Sequence, residues 1–224
     1  MTRTHHRTAQ DPADTGPVDT GSFDTGAPGP VADVLELFAR RGDGHYGETV
    51  DQRRHALQAA TLALSEGADV RLVAAALLHD IGHLVSGPDP GAPFDDSVDD
   101  HHESIGARWL APRFGPDVAR AVALHVMAKR YRCTVDPAYL ADLSPTSLRT
   151  LTAQGGLLDE RALARFAGRP GSDDALAVRD WDERAKDPTA ATPDLPAFLP
   201  VLQRLSTSVT TPLPRGAPCD RPGR

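Results

Sequence analysis

The stretch Leu72-Val73-Ala74-Ala75-Ala76-Leu77-Leu78-His79-Asp80 (residues 72–80) places an imidazole and a carboxylate after seven consecutive apolar residues. The apolar run predicts a buried helix, and burying two polar groups at its end is costly unless they find partners. Neutral imidazole nitrogen suits zinc, iron or copper, and an ionised carboxylate can join two cations through its two oxygens. A helix-terminal histidine beside a capping acid explains the same dipeptide, so the rest of the chain has to distinguish a structural role from a metal site.

Residues typical of helix starts and ends divide the chain into segments with helical spacing. One helix is predicted to start at Pro30, and the next to run from Thr49 or Asp51 to Gly67. The following helices are predicted at Asp69 to His79, with Gly82 as the stop, at about His101 to Leu110 and at Pro116 to Lys129. Three more are predicted to start at Ser144-Pro145, Asp159 and Ser172. The near-continuous alternation of apolar and polar residues that is typical of strands appears nowhere. The sequence therefore predicts an all-α fold.

The two ends of the chain differ in composition from its middle. Residues 1–28 repeat Asp-Thr-Gly at 14–16, 19–21 and 24–26 among proline and glycine, and they contain little that could form a core. Residues 207–224 are rich in proline, threonine and arginine. We therefore expect disordered tails at 1–28 and 207–224, and a single helical domain at 29–206.

The overall composition excludes several function classes. A net charge of −7 argues against a nucleic-acid surface, and the longest apolar runs are too short to cross a membrane. The N-terminus lacks the apolar core of a secretory signal. Cys133 and Cys219 are the only cysteines, which makes a disulfide framework improbable and fits a reducing cytoplasm. We expect a cytoplasmic monomer without nucleic-acid or membrane partners.

Four histidines and two aspartates form a second pattern across the predicted helices. A lone histidine on an apolar helix face is more often a hydrogen-bonded core residue than a ligand. Here each histidine falls on a different predicted helix and has apolar neighbours at helical spacing, which independent core positions would not predict. The six candidate metal ligands are His55, His79, Asp80, His102, His125 and Asp182.

The order of these six residues resembles the HD-domain superfamily in its two-metal form. The motifs that narrow the resemblance to the phosphonate-cleaving HD-domain oxygenases are Tyr46-Gly47-Glu48, Leu78-His79-Asp80-Ile81-Gly82-His83, His102-Glu103, His125-Val126-Met127-Ala128-Lys129-Arg130-Tyr131, Gln154-Gly155-Gly156 and Arg179-Asp180-Trp181-Asp182. The resemblance covers residues 31–186, and the run from His125 to Tyr131 is its most specific part.

The resemblance implies an HD-type helical bundle that holds two iron ions in mixed valence (Fe2+/Fe3+). One iron would be bound by His55, His79 and Asp182, the other by His102 and His125, with Asp80 as the bridge. His101 competes with His102, which is favoured because Glu103 and Gly106 follow it in the family's spacing.

Polar residues beyond the ligands predict what is bound. Lys129 lies one helical turn after His125, and a polar stripe follows on the next helix, so these side chains could donate hydrogen bonds to a tetrahedral dianion. The resemblance assigns phosphonate binding to Lys129, Ser147, Thr150, Gln154 and Arg179, with Lys129 also counted among the catalytic residues.

Four further residues have roles that the sequence leaves open. The resemblance places Tyr46 and Glu48 on a loop that closes over the amino end of the substrate. His45 stands three residues before Glu48, where one version of the family pattern has the tyrosine, so either His45 or Tyr46 could be the gate. His83 is a hydrogen-bond donor that supports the metal ligands, a substrate contact or a structural histidine at a helix end.

The preferred interpretation is a di-iron oxygenase that uses O2 to cleave the carbon–phosphorus bond of a small 1-hydroxyphosphonate. A substrate similar to 2-amino-1-hydroxyethylphosphonate would yield a carboxylate such as glycine plus phosphate. A metal-dependent HD-domain phosphohydrolase acting on a nucleotide or phosphate ester is the alternative, and a non-catalytic metal-stabilised binding module is the third hypothesis. The substituent on the amino group and the choice between catabolism and natural-product tailoring stay open.

Overall fold

The computed structural model describes residues 29–45, 49–86 and 95–210, with the side chains of 207–210 excepted. All regular secondary structure in these ranges is helical, which confirms the predicted all-α fold. The helices are α1 (Pro30–Arg41), α2 (Gln52–Ser65), α3 (Val70–Leu78), α4 (Ile81–Ser86), α5 (His102–Phe114), α6 (Pro116–Val135), α7 (Pro137–Ala141), α8 (Pro145–Ala153), α9 (Glu160–Ala167), α10 (Ser172–Arg184), a 3-10 turn (Leu195–Phe198) and α11 (Leu199–Thr210).

Four predicted helix starts carry the expected side-chain caps. Asp51, Asp69, Ser144 and Asp159 each accept a hydrogen bond from a backbone N–H in the first turn of the helix that follows. Such caps satisfy backbone donors that have no partner within the helix. The local sequence therefore determines where these helices begin.

Other boundaries differ from the prediction. Gly82 does not end the helix of residues 70–79, because α3 ends at Leu78 and Gly82 lies inside the new helix α4. Ser172 is the first residue of α10, and Gly171, with a φ of 86°, is the residue before it. Sequence reasoning also missed α7, the 3-10 turn and α11, which continues to Thr210, beyond the predicted domain boundary at 206.

The core is built around α3, whose residues 73–78 are at most 1% exposed. This helix packs against α2, α6, α10 and α11. The buried faces of α2 and α3 are rich in alanine, namely Ala56, Ala59, Ala60 and Ala63 on α2 and Ala74, Ala75 and Ala76 on α3. Small side chains let the two helix backbones approach closely, which brings His55 near the end of α3.

Gly82 and Gly106 allow a close approach of α4 and α5. A Cβ atom at Gly82 would lie 2.0 Å from the carbonyl oxygen of His102, and one at Gly106 would lie 3.2 Å from the backbone nitrogen of Gly82. Any side chain at position 82 would therefore push away the start of α5, which carries His102 into the site.

Replacing Gly82 with alanine is expected to destabilise the fold by about 3 kcal/mol, the upper end for overpacking, because the contacted atom is backbone and cannot rotate away. Chemical denaturation measures this change. Gly168→Ala is the control, since its Cβ would meet only Ala164 O at 3.5 Å, and a change within about 0.5 kcal/mol is expected there. Equal effects of the two substitutions would contradict the proposed close approach.

Within the described ranges, no helix combines the length and apolar character that a bilayer span requires.

Candidate metal centre

The first group of candidate ligands joins α2, the end of α3 and α10. His55 Nε2 lies 3.1 Å from His79 Nε2 and 3.2 Å from Asp182 Oδ1. His79 Nε2 is 3.6 Å from the same carboxylate oxygen. All three side chains are buried, and their positions suit a single cation with two imidazole ligands and one carboxylate.

The second group joins the α3–α4 turn, the start of α5 and the middle of α6. His102 Nε2 and His125 Nε2 are 3.2 Å apart, and Asp80 Oδ1 is 3.5 Å from the former and 3.6 Å from the latter. This arrangement can also hold one cation. His101 points elsewhere, because its side chain is 69% exposed and its Nδ1 lies 3.1 Å from Asp99.

Asp80 stands between the two groups. Its Oδ1 faces the pair formed by His102 and His125, whereas its Oδ2 lies 3.8 Å from His55 Nε2 and 3.5 Å from His79 Nε2. Each oxygen of one carboxylate thus faces a different pair of imidazoles. This is the geometry that a carboxylate bridging two metal ions requires.

The four imidazoles are oriented by acceptors on their far sides. The Nδ1–H groups of His55, His79 and His125 donate to the carbonyl oxygens of Ala185, Ala76 and Val122 at 2.7–2.9 Å, and that of His102 donates to Asp100 Oδ1 at 2.8 Å. In the neutral ring the proton is then on Nδ1, and Nε2 carries a lone pair.

This tautomer tests whether a metal fits. With Nδ1 protonated, the lone pairs of His55 and His79 would face each other at 3.1 Å, and those of His102 and His125 at 3.2 Å. Two neutral acceptors so close repel each other, and a cation removes the repulsion, either a proton on one Nε2, which the raised pKa of His79 favours, or a metal ion bound to both rings and the nearby carboxylate. The donor set and its orientation therefore fit two metal ions.

Burial and the neighbouring charges shift the titration of these groups. Burial opposes the charged form of His79, but Asp80 and Asp182 outweigh it and raise its pKa to about 9. Burial, together with His102 and His79, lowers the pKa of His125 to about 3. Although burial disfavours ionised carboxylates, the histidines lower the pKa of Asp80, and Arg179 with His79 lowers that of Asp182. Both carboxylates are therefore ionised at neutral pH and available as ligands.

Arg179 forms hydrogen bonds with side chains in and beside the first group of candidate ligands. Its guanidinium donates to Asp182, to Glu183 and, at 2.6 Å, to the hydroxyl of Tyr139. The resemblance predicted a substrate-binding role, and Arg179 does line the cleft beside the ligands. Arg179 also orients Asp182, because it holds Oδ2 of that carboxylate while Oδ1 faces His55 and His79.

The predicted substrate residues line one cleft together with five of the six candidate ligands, all but His79. The members that the structure describes are His83, Lys129, Ser147, Thr150, Gln154 and Arg179. Lys129 Nζ donates to Thr150 Oγ1 at 2.7 Å and to Gln154 Oε1 at 3.1 Å, and Lys186 Nζ donates to Ser147 Oγ at 2.8 Å. The cleft that Asp80 lines is therefore also lined by cationic and neutral donors, which form its donor wall.

Lys129 is a strongly perturbed cation of this wall. Burial, with the nearby charges of Arg179 and Lys186, lowers its pKa to about 7. An anion entering the cleft would favour the protonated form and reverse this shift. Lys129 is thus suited to bind a dianion rather than to pair within the protein.

Tyr46 and Glu48 lie outside the described residues. His45, the alternative gate, is exposed and is not among the residues that line the cleft.

Sequence reasoning missed three residues that contact the site. Asp100 bonds His102, Glu183 bonds Arg179 and lies 3.3 Å from Lys186, and Tyr139 accepts from Arg179. Two of them had a signal, since Asp100 stands two residues before a candidate ligand and Glu183 four residues after Arg179, one helical turn away. Tyr139 had no such signal, because it reaches the site only through tertiary packing.

The sequence profile of the HD domain matches residues 53–183. The chain belongs to the HD domain family. It is 40% identical over 168 residues to a hydroxymethylphosphonate dioxygenase from Gimesia maris, covering 75% of this chain and 84% of that protein. It is also 40% identical over 171 residues to a 1-hydroxy-2-(trimethylamino)ethylphosphonate dioxygenase (glycine-betaine-forming) from Leisingera caerulea, covering 75% of this chain and 86% of the relative.

A third relative, an uncharacterized protein of Acanthamoeba polyphaga mimivirus, is 32% identical over 158 residues, which cover 70% of this chain and 72% of that protein. The similarity to two dioxygenases over most of their length places this HD domain in the branch that the motifs indicated. The protein is an oxygen-using oxidoreductase, and this HD domain is metal-dependent.

Proposed function

We propose that this HD-domain protein is a di-iron, O2-dependent oxygenase that cleaves the carbon–phosphorus bond of a small 1-hydroxyphosphonate. The observation that carries the proposal is the position of Asp80, whose two oxygens face two histidine pairs. Lys129, Ser147, Thr150 and Gln154 line the same cleft as this carboxylate. A two-cation centre beside a set of cationic and neutral donors suits a substrate that combines a hydroxyl group with a phosphonate.

The named relatives support this substrate class. Both act on phosphonates that carry a hydroxyl group on the carbon attached to phosphorus, and their second substituents differ. We propose a substrate similar to 2-amino-1-hydroxyethylphosphonate, with glycine and phosphate as products. The side chain proposed to attract the amino group is Glu48.

Two iron ions in mixed valence are the proposed cofactor. His55, His79 and Asp182 would hold one, His102 and His125 the other, and Asp80 both. Imidazole and carboxylate ligands suit iron, and bound iron supplies the redox chemistry with dioxygen that side chains lack.

The chain's own residues would bind and orient the substrate. Protonated Lys129, helped by Thr150 and Gln154, would hold the phosphonate oxygens through charge-assisted hydrogen bonds. Lys186 and Ser147 form a second donor pair in the same cleft. Fixing the phosphonate at this wall would place the carbon–phosphorus bond beside Asp80 and the metal centre.

The overall reaction makes a stoichiometric test possible. Oxidation of hydroxymethylphosphonate to formate and phosphate consumes one O2 and needs no external reductant. We expect the iron-loaded protein to release phosphate only in the presence of oxygen, with one O2 consumed per phosphate. The kcat/KM values for hydroxymethylphosphonate, 2-amino-1-hydroxyethylphosphonate and 1-hydroxy-2-(trimethylamino)ethylphosphonate would rank the substituents.

Two results would overturn the proposal. Oxygen-independent phosphate release from a nucleotide or phosphate ester would instead identify a phosphohydrolase. Mössbauer or EPR spectra of anaerobically purified protein without a coupled iron pair would exclude the cofactor.

A further inference from the structure

Asp100 contacts two histidines with different places in the site. Its Oδ1 accepts from His102 Nδ1 at 2.8 Å and from the His102 backbone N–H at 3.3 Å. Its Oδ2 lies 2.8 Å from His83 Nδ1, an ion-pair contact in which the ring N–H is not well directed at the oxygen. His102 is a candidate metal ligand, whereas His83 lines the substrate cleft, so one carboxylate joins the two parts of the site.

The surrounding backbone is arranged to make this double contact. The rings of His83 and His102 stack with their centroids 4.1 Å apart and an interplanar angle of 21°. Gly82 permits the approach, because a Cβ there would meet the His102 backbone. His101, between Asp100 and His102, has a φ of 54°, the one positive φ of a non-glycine residue in the described ranges. This backbone turn lets the Asp100 carboxylate contact the ring of His102, two residues further along the chain.

We propose that Asp100 is a positioning residue that fixes the tautomer and orientation of both His102 and His83. The carboxylate accepts from His102 Nδ1–H and, 2.8 Å from His83 Nδ1, favours a proton on that nitrogen too, so it leaves Nε2 of His102 as a lone pair for the second metal. It also leaves Nε2 of His83 as an acceptor in the substrate cleft. The part of this inference that concerns metal binding by His102 rests on the proposed two-metal function. The part that concerns the tautomer of His83 does not.

Because the two oxygens of Asp100 have different contacts, its role toward His102 and its role toward His83 can be tested separately. An asparagine at position 100 retains one acceptor oxygen and gains an NH2 donor. The oxygen is expected to stay at the Oδ1 position, where it accepts from two donors of His102. The NH2 group then faces His83 Nδ1 and forces the proton of that ring to Nε2. Asp100→Asn thus changes His83 alone, while Asp100→Ala removes both contacts.

The experiment uses the full chain loaded with zinc, a diamagnetic ion, and the same chain without metal. Metal titration measures the affinity of the second site, and long-range 1H–15N NMR correlations show which nitrogen of each histidine carries the proton. We expect Asp100→Ala to weaken the second zinc by roughly 10–100-fold. We expect Asp100→Asn to bind both zinc ions like the wild type while His83 changes from the Nδ1–H to the Nε2–H tautomer.

Asp99→Asn is the matched control. Asp99 contacts His101, two residues further along the chain, in the same way. Its distance to His101 Nδ1 is 3.1 Å and it accepts a 3.2 Å hydrogen bond from the His101 backbone N–H, but that ring is exposed. This variant should change neither the zinc affinity nor the spectrum of His83. Circular dichroism checks that every variant is folded.

Three outcomes would overturn the inference. These are wild-type affinity for the second zinc in Asp100→Ala, an unchanged His83 tautomer in Asp100→Asn, and the same changes in Asp99→Asn. Failure of the wild type to bind two zinc ions would contradict the two-metal function instead. The tautomer of His83 in the metal-free chain would still test the role of Asp100.

Discussion

Asp80→Asn is expected to reduce the bound iron from two ions to one per chain and to lower the oxygenase rate by roughly 10³-fold, the equivalent of several kcal/mol. The wild-type carboxylate presents one oxygen to each histidine pair. The amide retains one oxygen and turns an NH2 group toward the other pair. An NH2 group cannot ligate a cation, so only one metal keeps its carboxylate ligand.

Metal analysis of purified protein and the rate of phosphate release measure these two effects. Asp142→Asn is the control, because Asp142 is an exposed residue at the end of α7. It removes the same charge from the chain and should change neither quantity. Two bound irons and wild-type turnover in Asp80→Asn would rule out Asp80 as the bridge.

Lys129→Met is expected to lower kcat/KM for a hydroxyphosphonate by roughly 100-fold, mainly through KM. The estimate follows from the loss of one or two charge-assisted hydrogen bonds, each contributing about 1.5–3 kcal/mol. The same substitution should raise the free energy of unfolding by roughly 1–2 kcal/mol, since the folded state no longer buries an ammonium group. Steady-state kinetics and chemical denaturation test the two effects separately.

The lowered pKa of Lys129 adds a pH signature. In the free enzyme Lys129 is protonated below its pKa of about 7 and neutral above it. Because the proposed substrate is a dianion, kcat/KM should fall as the pH rises through this value. Lys129→Arg stays charged and should lose this decline, even if its rate is lower. An identical alkaline limb in the wild type and in Lys129→Arg would show that another group titrates.

The helical class and most helix starts could be predicted from the sequence, because these features depend on neighbouring residues. Asp51, Asp69, Ser144 and Asp159 act as caps within three residues of their own positions. The prediction at Gly82 failed for the opposite reason. Glycine is typical of helix ends, but here it is needed where α4 meets the backbone of α5, and that contact is between residues distant in sequence.

The candidate ligands could be named from residue type and order, whereas the proposed donors of the cleft were named through the family resemblance. The sequence alone determined which side chains carry groups that can bind a cation or an anion, and that helices would carry them. Only the tertiary structure showed that Asp80 faces both histidine pairs and that Arg179 holds Asp182, and the exposed ring of His101 agrees with the preference for His102. Helical periodicity specifies which face of a helix a residue occupies, but not which other helix that face meets. That choice is made by the packing of alanine- and glycine-rich surfaces, which sets the distances between residues far apart in the chain.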